Sequence, residues 1–136
     1  MNGALYIFGD PKGPPFKVGA SEDAKRRYFQ HLYVRGGAIK TIQRLGLDVD
    51  LQRCRYLHLW DVGHPGHPRG LEGGILESLK SYRLRVNGST NFTEWVDLPL
   101  NDLHGRICSH PWMHDSVEVD LISFWSELAP LSGRPC

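Results

Sequence analysis

Five side chains carry the functional groups that hydrolysis of a phosphate ester requires: Tyr6, Lys17, Arg27, His31 and Glu72. A glutamate is a hard oxygen ligand of the kind that Mg²⁺ or Mn²⁺ accepts while keeping several waters. Arginine binds phosphate through its fork of donors, and histidine can contact phosphate or relay a proton. Tyrosine becomes a usable base when nearby cations favour the phenolate. These residue types therefore suit metal-assisted cleavage of a phosphodiester.

The elements predicted around these residues bring several of them together. The apolar, β-prone runs at 3–8 and 16–20 flank a segment rich in Gly and Pro, which predicts an antiparallel hairpin carrying Tyr6 and Lys17. Ser21 and the two acids after it are typical of a helix start. On that helix Arg27 and His31 are four residues apart, so they share a face.

The rest of the chain predicts a single small domain. Apolar periodicity and turn residues indicate, in order, a short helix, a strand, a loop, a helix, a strand and a late amphipathic helix: 39–45, 53–60, 64–70, 71–83, 92–98 and 117–128. Short connections favour an α/β (α+β) fold, with a small central antiparallel or mixed β-sheet flanked by helices. We expect residues 1–136 to form one domain, in which 100–136 is a C-terminal helical extension.

The order of these motifs resembles that of the GIY-YIG nucleases. Leu5-Tyr6-Ile7 and Lys17-Val18-Gly19 are similar to the two strand motifs of that family, and Arg27 and His31 fall where its first helix carries an arginine and a histidine. Glu72, with Ile75 and Leu76 after it, is similar to the metal-binding glutamate that opens a later helix. The Glu94-Trp95 pair resembles the closing strand of a phage and fungal branch of the family.

The resemblance covers about the first hundred residues, and the sequence departs from the family pattern in three places. Gly-Ile-Tyr is Ala4-Leu5-Tyr6 here, and Lys17 replaces the tyrosine of the second motif. The family asparagine that follows the glutamate helix has two candidates, Asn87 and Asn91. Glu77 is an alternative to Glu72 as the metal ligand.

The resemblance implies a GIY-YIG-type endonuclease that hydrolyses DNA with one divalent metal, Mg²⁺ or Mn²⁺. Tyr6, Lys17, Arg27, His31 and Glu72 would then be catalytic, with Glu72 binding the metal. RNA is an alternative substrate, and a homodimer is one of the open oligomeric states. The rival interpretation is a catalytically inactive, nuclease-derived module that binds nucleic acid or a protein partner.

The charge distribution is compatible with a nucleic-acid partner. The net charge of +1 divides into +4 over residues 1–68 and −3 over residues 69–136. Arg26, Arg35 and Lys40 are the basic residues that we expect to contact phosphates. Ordinary solvated charge is the alternative.

Composition restricts the remaining possibilities. Hydrophobic residues make up 40% of the chain and charged residues 23%, and no apolar run approaches the ~20 residues that span a bilayer. The sequence predicts no signal peptide and no membrane partner. We expect Cys54, Cys108 and Cys136 to be free thiols in the reducing cytoplasm.

Two groups of histidines invite a zinc hypothesis. The first comprises His58, His64 and His67, and the second comprises His104, His110 and His114 near Cys108. Neither group has the spacing of a zinc finger, so unligated histidines are favoured for both.

Overall fold

The structure is a computed structural model, and it describes residues 3–33, 38–63, 67–86, 90–126 and 133–135. Within these ranges the chain forms one antiparallel sheet with helices on both faces, which confirms the predicted α+β class. None of the helices in the described residues is long and apolar enough to cross a bilayer.

Seven strands can be traced in the described residues: β1 Ala4–Gly9, β2 Phe16–Ser21, β3 Arg55–Asp61, β4 Arg83–Arg85, β5 Phe92–Val96, β6 Val117–Val119 and β7 Gly133–Pro135. Their order across the sheet is β4-β5-β2-β1-β3-β6-β7, with each neighbouring pair antiparallel. The β1–β2 hairpin pairs Tyr6 with Gly19, and β2 pairs Lys17 with Trp95 of β5. Lys17 therefore lies on an interior strand, not on an edge.

Five α-helices lie in the described residues: α1 Ala24–Tyr33, α2 Ala38–Leu45, α3 His67–Ser78, α4 Leu100–Cys108 and α5 Leu121–Ser126. The first two agree with prediction, and α2 ends at Gly46, whose φ of +62° suits a residue without a side chain.

Alternation along β1 separates two hydrophobic cores. Leu5 and Ile7 join the core that α3 and α4 cover, whereas Tyr6 and Phe8 join the core covered by α1, α2 and α5. The central strand is therefore buried on both faces, which explains why its sequence is almost continuously apolar.

Both ends of helix α3 differ from the prediction. Helix α3 begins at His67, within the segment predicted as a loop, so Glu72 lies in its second turn rather than at its head. The same helix ends at Ser78, and Arg83 belongs to strand β4. Residues 64–66 lie outside the described residues.

The C-terminal segment is more than a helical extension. Val117 was expected in a helix but lies in β6, which pairs with β3, and β7 pairs with β6. Val117 is a β-branched residue, and pairing of β6 with β3 and β7 outweighs its apparent helical spacing from Leu121. Leu103 and Ile107 of α4 are fully buried in the first core, so this segment is integrated into the domain.

Candidate active site

Tyr6 and Gly19 form a close contact across the β1–β2 hairpin. A Cβ atom added at Gly19 would lie 2.3 Å from the Tyr6 hydroxyl oxygen and 2.4 Å from its Cζ. Any residue with a side chain would therefore displace the tyrosine ring. The second strand motif thus needs a glycine at position 19, because only a residue without a side chain leaves space for Tyr6.

The Tyr6 hydroxyl is hydrogen-bonded to Nε2 of His31 at 2.7 Å, and the Arg27 guanidinium is near enough for its charge to act on the same hydroxyl. Arg27 also donates from Nη1 to the side-chain oxygen of Gln30 at 3.1 Å. Helix α1 therefore directs its arginine and its histidine to one strand residue, as their shared face predicts. Arg26, one position earlier, is exposed.

His31 is a neutral imidazole in this environment. Its side chain is completely buried, and burial together with the charges of Lys17 and Arg27 lowers its pKa to about 3. Within the described residues, Nδ1 of His31 has no hydrogen-bond partner. The ring can therefore donate or accept at Nε2 without carrying charge, and it orients the Tyr6 hydroxyl.

Tyr6 itself is 1% exposed, and this burial raises its pKa above the ordinary value, although the hydrogen bond and charge of Arg27 oppose the shift. The expectation that neighbouring cations bring the phenol towards neutrality is therefore wrong for this structure. Loss of hydration outweighs the attraction of the guanidinium.

Lys17 forms an ion pair with Glu94 of β5. The Lys17 side chain is 9% exposed and that of Glu94 is 41% exposed, so the pair lies at the border between core and solvent. A lysine that is buried beside a carboxylate on an interior strand is not a solvated surface residue.

Glu72 and Glu94 form a hydrogen-bonded carboxyl pair, which is possible when one of them holds a proton. Burial, the hydrogen bond with Glu94 and the Glu94 charge raise the pKa of Glu72 to about 8. Burial alone would also raise the pKa of Glu94, but the Lys17 charge and the hydrogen bonds from Glu72 and Lys17 hold it below its usual value. At neutral pH the pair therefore carries one shared proton, with Glu94 as the carboxylate.

The structure brings all five predicted residues into one electrostatic cluster. The charges of Lys17 and Arg27 act on Glu72, and the Glu72 charge in turn raises the pKa of Tyr6. Glu77, the alternative metal ligand, has a side chain that is 72% exposed and pairs with Lys80 at 3.9 Å. The geometry thus favours Glu72 over Glu77.

A cleft of about 500 Å³ opens beside the cluster. Its lining includes basic, aromatic and polar side chains: Lys17, Arg27, His31, Arg44, Arg83, Asn91, Phe92 and Glu94. Of the two candidates for the family asparagine, Asn91 contributes to this lining and Asn87 lies outside the described residues.

The predicted phosphate contacts divide differently. Arg26 and Lys40 are exposed, and Arg35 lies outside the described residues. Arg44 and Arg83 also line the cleft.

Glu94 is the functional residue that the sequence-based assignment missed. The Glu94-Trp95 pair was recognised as part of a closing strand, but no role was given to its carboxylate. Alternation was the available signal, because a charged residue beside a buried Trp95 on an interior strand needs a partner.

Profiles of known protein families, characterised proteins and solved structures gave no match to this chain.

Proposed function

We propose that the protein is a metal-dependent endonuclease with a GIY-YIG-type site. The observation that carries the proposal is the Glu72–Glu94 carboxyl pair, which lies under the charges of Lys17 and Arg27. The charge of Arg27 also acts on Tyr6, so the carboxyl pair and the tyrosine share a cationic neighbour. A structural ion pair would need neither a protonated second carboxyl nor a completely buried histidine.

The donor set fits a hard divalent cation. Two carboxyls that must share a proton concentrate more negative charge than the site can hold without a cation, and Mg²⁺ prefers one or two carboxylates together with water. Glu72 and Glu94 are the residues that would hold Mg²⁺ or Mn²⁺. When bound, the metal would supply neutralisation of charge on the phosphate and on the leaving oxygen.

The chain's own residues provide the other functions. Arg27, half-buried at the cleft, would bind the scissile phosphate through its remaining donors. The hydrogen bond between Tyr6 and neutral His31 would hold the Tyr6 hydroxyl in position at the reaction centre. Lys17 would keep Glu94 ionised and add positive charge close to the phosphate.

DNA is the proposed partner, and the side chains around the cleft support a nucleic acid. Arg44 and Arg83 line it, and next to it Lys80, Arg83 and Arg85 lie 5.4, 5.4 and 4.6 Å from the centre of the Phe92 ring. Cations that surround an aromatic ring can contact phosphates while the ring stacks on a base. This arrangement also suits RNA, and incubation of a labelled RNA with the protein and Mg²⁺ would distinguish the two substrates.

A specific observation also favours the rival function, a nuclease-derived module that binds without cutting. Tyr6 is almost fully buried with a raised pKa, and Lys17 is already paired with Glu94. Such a module would retain the basic cleft and bind DNA, but it would not turn over.

Cleavage of supercoiled plasmid separates the two functions. We expect nicking or linearisation in Mg²⁺ or Mn²⁺ that EDTA abolishes, and we expect Glu72→Gln to remove it while the fold persists. Glu77→Gln is the matched control, because it changes an exposed carboxyl of the same helix. Retarded but uncut plasmid would establish the binding module, and loss of activity in Glu77→Gln alone would move the metal ligand to Glu77.

The proposal includes a cytoplasmic, reducing location, which one observation opposes. Of the described cysteines, Cys54 is free and buried, and burial raises the pKa of its thiol to about 12. Cys108 is disulfide-bonded, so the expectation of free thiols is wrong for this residue. Thiol titration of protein purified under non-reducing conditions tests the point.

A homodimer remains a prediction that light scattering can check.

A further inference from the structure

Three potential metal ligands converge on strands β3 and β6 and helix α4. His58, His104 and Glu118 come from these three elements, and each offers one ligand atom within 4.8 Å of the others. Nδ1 of His58 lies 3.4 Å from Oε1 of Glu118, and Nε2 of His104 contacts the same oxygen. The group shares no residue with the candidate active site.

Packing defines the orientation of both imidazoles. Trp60 is fully buried, and its ring stacks on His58 at 5.9 Å and on His104 at 5.5 Å between centroids. The two imidazoles lie 4.1 Å apart. The side chains are only 23%, 30% and 11% exposed for His58, His104 and Glu118. Side chains held this closely have already lost most of the rotamer entropy that binding a metal would cost.

We propose that His58, His104 and Glu118 form a binding site for Zn²⁺. Two imidazole nitrogens and one carboxylate are a ligand set typical of zinc, with a water completing the tetrahedron. The edge of a tetrahedron with metal–ligand bonds of ~2.05 Å is roughly 3.3 Å, which is close to the separation of His58 and Glu118. The other pairs need only small rotations, since no ligand atom is more than 4.8 Å from another.

The sulfur of Cys108 is not counted among the ligands. It lies 3.8 Å from Nε2 of His104, but Cys108 is disulfide-bonded and so supplies no thiolate. Hard cations such as Mg²⁺ prefer sites made entirely of oxygen ligands. The site formed by His58, His104 and Glu118 therefore differs in chemistry from the Glu72–Glu94 pair.

The consequence of zinc binding would be mechanical. The ion would join β3, in the middle of the sheet, to α4 and β6, and thereby fix residues 100–119 to the domain. We expect added Zn²⁺ to raise the melting temperature of protein that has been stripped with a chelator, because the site exists only in the folded chain.

Calorimetry on the full chain with Zn²⁺, supported by the visible spectrum of the Co²⁺-loaded protein, tests the proposal. We expect one equivalent to bind, and we expect His104→Asn and Glu118→Gln each to weaken binding at least about tenfold. His114→Ala is the matched control, because that histidine is 75% exposed and is not one of the three proposed ligands. Circular dichroism of each variant separates loss of a ligand from loss of the fold.

Two outcomes would overturn the proposal. One is the absence of stoichiometric binding to correctly folded protein. The other is an affinity that folded His104→Asn and Glu118→Gln leave unchanged, which would leave only adventitious surface binding. The result is independent of the nuclease proposal, since Glu72→Gln should retain zinc binding whether or not the protein cleaves DNA.

Discussion

The shared proton of the carboxyl pair makes binding of a divalent cation depend on pH in a calculable way. Burial and the neighbouring Glu94 raise the pKa of Glu72 from 4.5 to about 8. At pH 7, roughly nine-tenths of the molecules then hold the proton. A cation that occupies the pair must displace it, so the dissociation constant for Mg²⁺ should fall by about tenfold per unit from pH 6 to pH 8 and level off above that.

The same shift predicts how stability depends on pH without a divalent ion. The folded pKa of Glu72 lies above its unfolded value, so its stabilising contribution is complete below about pH 4.5 and is lost as pH rises through about 8. Glu94 has a lowered pKa, and its contribution is lost only in acid. Urea midpoints should therefore fall between about pH 6 and pH 9 in EDTA, and Mg²⁺ should restore them.

Titration calorimetry in two buffers of different ionisation enthalpy counts the released protons directly. We expect close to one proton per Mg²⁺ bound by the wild type at pH 7 and none for Glu72→Gln, whose affinity should also be lower. Glu77→Gln should behave as the wild type, since that side chain is 72% exposed. An Mg²⁺ affinity that is constant from pH 6 to pH 8, or proton release that persists in Glu72→Gln, would refute the shared-proton model.

Three further predictions follow from the site. Arg27→Ala should lower kcat for plasmid cleavage at least about tenfold more than Arg26→Ala. The reason is that Arg26 is exposed and is rotated by about 100° around the helix from Arg27. Equal effects would mean that both arginines are general phosphate binders. Tyr6→Phe should remove most of kcat while the Kd for DNA measured by anisotropy stays near wild type, and a near-normal kcat would eliminate its proton-transfer role. Gly19→Ala should lower the free energy of unfolding in urea by on the order of 1–3 kcal/mol, because its Cβ meets the Tyr6 ring. Gly73→Ala is the control and should be neutral or stabilising, since a Cβ there meets nothing within 4 Å. Equal stabilities of the two variants would contradict the close contact.

The parts of the fold that depend on local pattern were predictable from the sequence. Strands β1 and β2 follow from apolar β-prone runs on either side of a turn, and α2 follows from its periodic isoleucines and Gly46. The start of α3 was missed because its first turn contains Pro68 and Gly70. Proline is tolerated at the start of a helix, where its missing N–H is not needed. Strand β6 was missed because a strand of only three residues has almost no pattern of its own.

In the candidate site, too, the sequence predicted the relations within neighbouring elements and missed those between distant ones. Arg27 and His31 could be paired from helical spacing, and Tyr6 and Lys17 from a hairpin, because each relation lies within neighbouring elements. Glu94 reaches the site by pairing with Lys17, which lies 77 residues earlier in the sequence. No local periodicity predicts a contact over that separation. The burial of Tyr6 could not be predicted from local patterns either, and that burial is the reason its pKa is raised and not lowered.

The order of strands has a consequence for how the chain assembles. Strands β1 and β2 occupy the middle of the sheet and are adjacent in sequence, and β3 and β5 then add on either side of them. A hairpin closed over a short loop has a small entropic cost, so the sheet can grow outward as later segments arrive from the ribosome. Tyr6 and Lys17 are placed by that first hairpin, whereas Glu94 is delivered only with β5. The tyrosine would thus be positioned well before the carboxyl pair exists, and a partly synthesised chain would hold no complete reaction centre.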